Sequence, residues 1–295
     1  MRDFEQLKKM TKDFYTMKPD APIALEEFGY YCKEEWIDKG YIKEGEDMNK
    51  LFGFERLSNY YLPGLSGTVA PFIPRFKEEI IESDDLYEIA KDKAGRTVKY
   101  FKGKRDGFMP QYLDFPVKDK KTWDDIKWRL DYASKERNED LKRDIEKAIP
   151  VVQKGYHTVT YIVGAFMYLR SLIGGEEILY MIYDDPQLIH TCMRKWLELS
   201  DYVTSKYQDY VRIDELLFDE DICYNHGPLI SPEQIRSFLF PYYKELIQGV
   251  RDRNRKLSIS DKENVFKQSK GYDLIIHVAT DGDCRPIIPV YKEIG

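Results

Sequence analysis

Leu216-Leu217-Phe218-Asp219-Glu220-Asp221-Ile222-Cys223-Tyr224-Asn225-His226-Gly227-Pro228-Leu229-Ile230-Ser231-Pro232 is the stretch that decides how this chain folds. A short apolar run ends in acids, a glycine turn follows, and a capped helix begins. The run reads as a buried strand, because it is too short for a helix and is bounded by turn residues. Ser231 supplies the helix cap, Pro232 suits the first turn and Gln234 completes a capping box. A buried strand that delivers carboxylates to its C-terminal end is the way parallel α/β barrels build active sites.

Working outward, the same alternation recurs. His157 to Phe166 is β-branched and aromatic and reads as a strand. A helix from Glu177 to Tyr183 stops at Asp185-Pro186, where Asp185 caps the next helix. That helix carries Leu188, Ile189, Cys192, Met193, Trp196, Leu197 and Val203 at helical spacing. After Ser231, Ile235, Phe238, Leu239, Tyr242, Leu246, Ile247 and Val250 form another apolar stripe. Residues 251–270 are polar and basic without period and read as an inserted loop. Asp273 to Thr280 is a further buried strand, ending in the acidic turn Asp281-Gly282-Asp283. Strand, helix, strand, helix in this order implies parallel strands with crossover helices.

The N-terminal part is less regular. Residues 3–15 predict an amphipathic helix, and Ile23-Ala24-Leu25 a short strand ending in Glu26-Glu27-Phe28-Gly29-Tyr30. Trp36 to Tyr41 closes a helix at Gly40. Residues 77–102 read as an antiparallel hairpin around Asp92-Lys93-Ala94-Gly95, with strands near Glu79–Ala90 and Arg96–Phe101. Thr122-Trp123-Asp124-Asp125 matches a capping box, and Tyr132 to Leu141 reads as a charged surface connection.

Composition narrows the function classes. The 295 residues carry a formal net charge of −6, which argues against a nucleic-acid partner. No apolar run approaches a membrane span, and the first residues lack the apolar core of a signal peptide, so a cytoplasmic protein is expected. Cys32, Cys192, Cys223 and Cys284 are scattered, as in reduced thiols. No GxGxxG or Walker sequence follows any strand.

The ordered set of motifs resembles the uroporphyrinogen decarboxylase (URO-D) superfamily, in its decarboxylase-like and corrinoid-dependent methyltransferase branch. Pro22 to Tyr30, Asp114 to Lys118, Gly164-Ala165-Phe166 with Leu169-Arg170, Gly174-Gly175-Glu176, Tyr183 to Pro186, Glu220-Asp221 through Pro241-Tyr242-Tyr243, and Thr280 to Asp283 carry the likeness. It implies a single (β/α)8 TIM-barrel domain over residues 1–295, with an N-terminal helix and the hairpin as an excursion. The chain stops roughly 80 residues early for such a barrel, so about five of its eight strands are expected and the last are missing. Open barrel edges would then invite self-association.

The resemblance also implies chemistry. The methyltransferase branch passes a methyl group from a small methylated substrate to a corrinoid, here carried by a partner protein, because no DxHxxG corrinoid-binding sequence is present. Its thiol-type zinc site is absent: the cysteine of the His-x-Cys pair is Ala279 when His277 is aligned with the histidine. An oxygen-rich site for a divalent metal such as zinc would use Asp221 and Asp281 with His277. Asp221, Asp281 and Glu220 are the expected catalytic acids, and Glu27, Tyr30, Arg170 and Asn225 the expected substrate contacts. Each has a plainer reading: an acid at a strand tip also caps helices or pairs with a cation. A carboxy-lyase of tetrapyrrole synthesis is the alternative, disfavoured because the first-strand tip has carboxylates where a polyanionic substrate needs arginines. An inactive truncated barrel or scaffold is the non-enzymatic alternative.

Overall fold

The structure, a computed structural model, describes residues 3–21, 32–54, 57–103, 109–259 and 273–295. The expected strand Ile23-Ala24-Leu25 and the expected substrate contacts Glu27 and Tyr30 lie outside the described residues. From the N-terminus, α1 (Phe4–Tyr15), α2 (Lys33–Asp38) and α3 (Met48–Phe52) precede β1 (Asn59–Leu62). Then come β2 (Glu79–Ser83), β3 (Tyr87–Lys91), β4 (Thr97–Phe101), β5 (Gln111–Asp114), α4 (Lys120–Ile126) and α5 (Lys135–Gln153). The remainder alternates: β6 (His157–Val163), α6 (Ala165–Ile173), α7 (Glu177–Asp184), α8 (Pro186–Gln208) and β7 (Glu215–Asp219). A short hairpin of β8 (Cys223–Tyr224) and β9 (Gly227–Pro228) leads to α9 (Pro232–Gln234), α10 (Phe240–Ile259), β10 (Ile275–Ala279) and α11 (Ile288–Tyr291).

β1, β6, β7 and β10 form one parallel sheet in that order. Its strands are therefore neighbours in space in the order in which they occur along the chain. This winding agrees with the α/β reading. The described residues form four parallel strands and no closed barrel, and the expected strand Ile23-Ala24-Leu25 lies outside them. β1 was not anticipated, because Asn59-Tyr60-Tyr61-Leu62 is short and lacks an alternating pattern.

The expected hairpin is a four-stranded antiparallel sheet, β2-β3-β4-β5. The long first strand is broken at Asp84, whose Oδ1 accepts from the amides of Leu86 and Tyr87 at 2.7 Å each, an Asx-type turn. The expected connection over 132–141 is the start of α5. Its charges sit on one side while Leu141, Ile145 and Ala148 are buried at helical spacing, and Arg137 is buried because it donates to the carbonyls of Pro71, Arg129 and Asp131. The expected insertion at 251 is likewise helical as far as Ile259. Asp119, not Thr122, caps α4, and Thr122 is the N3 member of that capping box.

One face of the parallel sheet packs on helices. Phe218 of β7 lies edge-on to Tyr243 of α10 and beside Trp196 of α8. The Trp196 indole donates to the Val163 carbonyl at 2.9 Å, pinning α8 to the end of β6. Strand alternation sends Glu215, Leu217 and Asp219 to the opposite face. α1 crosses the lower part of that face, with Tyr15 stacked on His157 at 4.2 Å. No helix among the described residues is long and apolar enough to cross a membrane.

Candidate functional site at the strand tips

β6 passes directly into α6 through Gly164, which has ordinary extended dihedrals. Glycine is needed there for space. A β-carbon would lie 2.2 Å from Glu220 Oε2 and 2.5 Å from the Asp219 carbonyl oxygen. The Gly164 amide donates to that same carbonyl at 2.8 Å, so the β6–β7 tip closes backbone to backbone.

This contact places Glu220 at the start of α6. The carboxylate is wholly buried. Oε2 accepts from the Phe166 amide at 3.0 Å and Oε1 from the Tyr291 hydroxyl at 2.7 Å. The Tyr243 hydroxyl, which accepts from the Ala165 amide at 2.8 Å, also bonds it. Burial pushes its pKa up to about 7 against the opposing pull of these donors. Glu220, one of the expected catalytic acids, is thus enclosed rather than exposed at the strand tip. It is a positioning residue joining β7, α6, α10 and the C-terminal helix.

Asp221, the next residue, has a left-handed backbone with φ of 42°. Aspartate tolerates that region better than most residues, yet such conformations gather at functional tips. Arg170 of α6 donates from Nη2 to Asp221 Oδ2 at 2.5 Å and from Nη1 to its carbonyl at 3.3 Å. Both side chains keep more than a quarter of their surface exposed. The structure thus brings together two residues that the sequence singled out separately, as an accessible ion pair at a strand tip.

The other candidates are placed elsewhere. Asp281 is exposed on its turn, where Gly282 (φ of 77°) packs against the Tyr224 backbone. Asn225 and His226 form the exposed tip of the β8–β9 hairpin. His277 lies within β10 and bonds Glu215, two residues lower in register than its own partner Leu217. Asp221, Asp281 and His277 do not converge, and no group of three or more His, Cys, Asp or Glu among the described residues could hold a metal ion. The expected metal set is corrected accordingly, since Asp221 is held by Arg170 and His277 by Glu215. A groove of about 690 Å³ lies on the outer helical side, lined by residues such as Trp128, His190, Arg194 and Tyr242, and no strand-tip residue lines it.

No protein-family model matches the chain, and no curated protein matches it in sequence. A solved structure does. A methyltransferase from Methanosarcina mazei superposes with a TM-score of 0.51, covering 98% of this chain and 74% of that one at 13% identity. At that identity the likeness establishes a shared fold and no more.

Sequence reading missed one polar cluster. Glu215 opens β7 and is buried. Its Oε2 accepts from the Tyr15 hydroxyl at 2.5 Å and bonds His157 Nε2 at 2.9 Å, and its Oε1 bonds His277 Nδ1 at 3.0 Å. Burial alone would raise its pKa, but the hydrogen bonds from His157 and His277, the charge of His157 and the Tyr15 bond hold it at about 2. The available signal was a charged residue entering an apolar strand in Ile213-Asp214-Glu215-Leu216. A depressed carboxyl pKa means stability that is present above the unfolded value and lost as pH falls from about 4.5 toward 2. Acid unfolding of Glu215→Gln is expected to lose much of this component, seen as a shallower stability slope below pH 4.5 in urea melts at stepped pH. An unchanged slope would mean that the cluster is not linked to folding.

Proposed function

We propose that the chain is a methyltransferase-like enzyme of barrel-type winding that works at the C-terminal ends of β6 and β7. It would take a methyl group from a small methylated compound, and the acceptor would be a corrinoid on a partner protein. The Arg170–Asp221 pair is the observation that carries this reading. It is a partly exposed cation and carboxylate, fixed at a strand tip by a left-handed backbone and flanked by a close-packed glycine and a buried glutamate. The shared fold with a methyltransferase and the consecutive order of the parallel strands support it. Active sites of parallel α/β proteins gather at this end of the sheet.

The chain's own residues suit the leaving group. When a methyl group departs from oxygen or nitrogen, the bonding pair stays on the heteroatom. Arg170 can donate a hydrogen bond to the electron pair that develops there, on an oxygen that leaves as an anion or a nitrogen that leaves as a neutral amine, and Asp221 fixes the guanidinium and offers an acceptor to a substrate N–H or O–H. The described residues do not assemble a group of three or more His, Cys, Asp or Glu that could hold a metal ion.

Asp221→Asn keeps a residue tolerant of the left-handed region while removing the charge. Methyl transfer to free cob(I)alamin is expected to fall by about a hundredfold or more in this variant. Arg170→Met should lose activity to a similar degree while melting within a few degrees of the parent. Unchanged rates in both variants would place the chemistry elsewhere.

A further inference from the structure

The sheet face turned away from α8 and α10 carries a second group of side chains that the strand-tip reading leaves unused. Register puts Tyr161, Leu217 and His277 in one row across β6, β7 and β10. Paired residues of parallel strands project to the same side, as do alternate residues along one strand. Glu215 therefore lies below this row and Asp219 above it, each about 6.6 Å along β7 from Leu217.

The hydrogen bonds define what the row offers a ligand. His277 Nδ1 bonds Glu215 Oε1 at 3.0 Å, and a carboxylate can only accept, so Nδ1 carries a proton and, in the neutral ring, Nε2 is an acceptor. His277 retains 54% of its side-chain surface exposed. Tyr15 and His157 hold the other Glu215 oxygen, so the carboxylate cannot swing away and release the ring. At the upper end the Tyr161 hydroxyl donates to Asp219 Oδ2 at 2.7 Å. Among the described residues, no lysine or arginine forms an ion pair with Glu215 or Asp219. The row thus presents acceptors at both ends, an apolar floor at Leu217 and a tyrosine ring at one side.

We propose that this cup binds a small organic ammonium. The ligand donates N–H bonds to His277 Nε2 and to the Asp219 carboxylate, and its alkyl part rests on Leu217 beside the Tyr161 ring. An anion would meet two carboxylates. A neutral molecule would forgo the charge attraction and the cation–π contact that an ammonium gains beside a tyrosine. A divalent metal would find too few converging ligands. The inference deepens the function proposed above by naming a class of methylated substrate. It rests on that reading for the chemistry but not for the binding.

The test titrates the full chain with methylammonium chloride, against sodium chloride at equal ionic strength, and follows histidine nitrogen shifts by NMR and heat by calorimetry. The Nε2 signal of His277 should move saturably, while those of His190 and His226 stay still. His277→Leu and Asp219→Asn should each weaken binding about tenfold or more. Tetramethylammonium, which has no N–H, and methanol, which has no charge, should bind at least about tenfold more weakly than methylammonium. Methanol binding equally well, or an unmoved His277 signal at high methylammonium, would overturn the proposal. If His277→Leu fails to fold, Asp219→Asn, which keeps an oxygen for Tyr161, decides alone. Ammonium binding without methyl transfer would leave the cup standing and remove only the methyltransferase reading. Methyl transfer without ammonium binding would do the reverse.

Discussion

Gly164→Ala is expected to destabilise the protein by about 3 kcal/mol, near the upper end of over-packing costs. The backbone at this position is in a region open to any residue, so conformational strain contributes little. The cost comes from the neighbours. An added methyl would overlap Glu220 Oε2, the Asp219 carbonyl oxygen and the Glu220 α-carbon, all between 2.2 and 2.6 Å away. Two of these atoms are backbone and cannot turn aside. Relief requires β6 and β7 to part at their tips, which would break the Gly164 amide bond to Asp219 and pull the Phe166 amide from Glu220. Thermal and urea melts of the alanine variant measure the effect directly. A loss below about 1 kcal/mol would show that the strand tips are not packed as described. The same variant should lose methyl transfer even at temperatures where it stays folded, because Asp221 follows Glu220 directly.

Raising the pH through neutrality is expected to weaken the fold through Glu220. Its carboxyl titrates at about 7 when folded, because burial disfavours the charge, and near 4.5 when unfolded. The folded state then holds the proton more tightly than the unfolded one. The stability linked to this group is complete below pH 4.5, declines between 4.5 and 7, and is gone above the folded value. The shift corresponds to about 3 kcal/mol. Glu220→Gln should abolish this dependence. The amide oxygen can keep the Phe166 bond while the amide nitrogen donates to the Tyr291 oxygen. The variant is therefore expected to melt higher than the parent at pH 8 and close to it at pH 5. Parallel melting curves for the two proteins across that range would mean that Glu220 is ionised without penalty. The expected sign is opposite to that of Glu215, whose contribution is lost in acid.

Much of this architecture was legible because it is written in local chemistry. The capping box at Ser231, the cap at Asp185 and the apolar stripes of α8 and α10 each fix their element within a few residues. The strand that ends in Glu220-Asp221 was also legible, since few other elements end an apolar run in acids before a glycine turn. What escaped depends on partners distant in sequence. β1 is defined only by its pairing with β6, about a hundred residues later. α5 was hidden because charged residues dominate its exposed side and Pro150 interrupts its pattern.

The site shows the same division. Arg170 and Asp221 could each be named, but their pairing needs α6 to pack across the end of β7. In sequence Glu220 reads as an acid available for chemistry, and only the fold reveals that Gly164, Tyr243 and Tyr291 enclose it. In sequence His277 reads as a metal ligand, because it precedes the acidic turn at Asp281. Its actual partner, Glu215, is supplied by the adjacent strand. Glu215 draws on α1, β6 and β10 together, and no window of sequence contains that set.

The most direct measurement is an absorbance assay for methylcobalamin, with the full chain, cob(I)alamin and a panel of O-methyl and N-methyl compounds. A methyltransferase-like enzyme working at the Arg170–Asp221 tip should form methylcobalamin with at least one methylated amine, and the product should disappear in Asp221→Asn. Formation at an equal rate in Asp221→Asn, or no methylcobalamin from any compound in a sample that binds methylammonium and melts cooperatively, would contradict it.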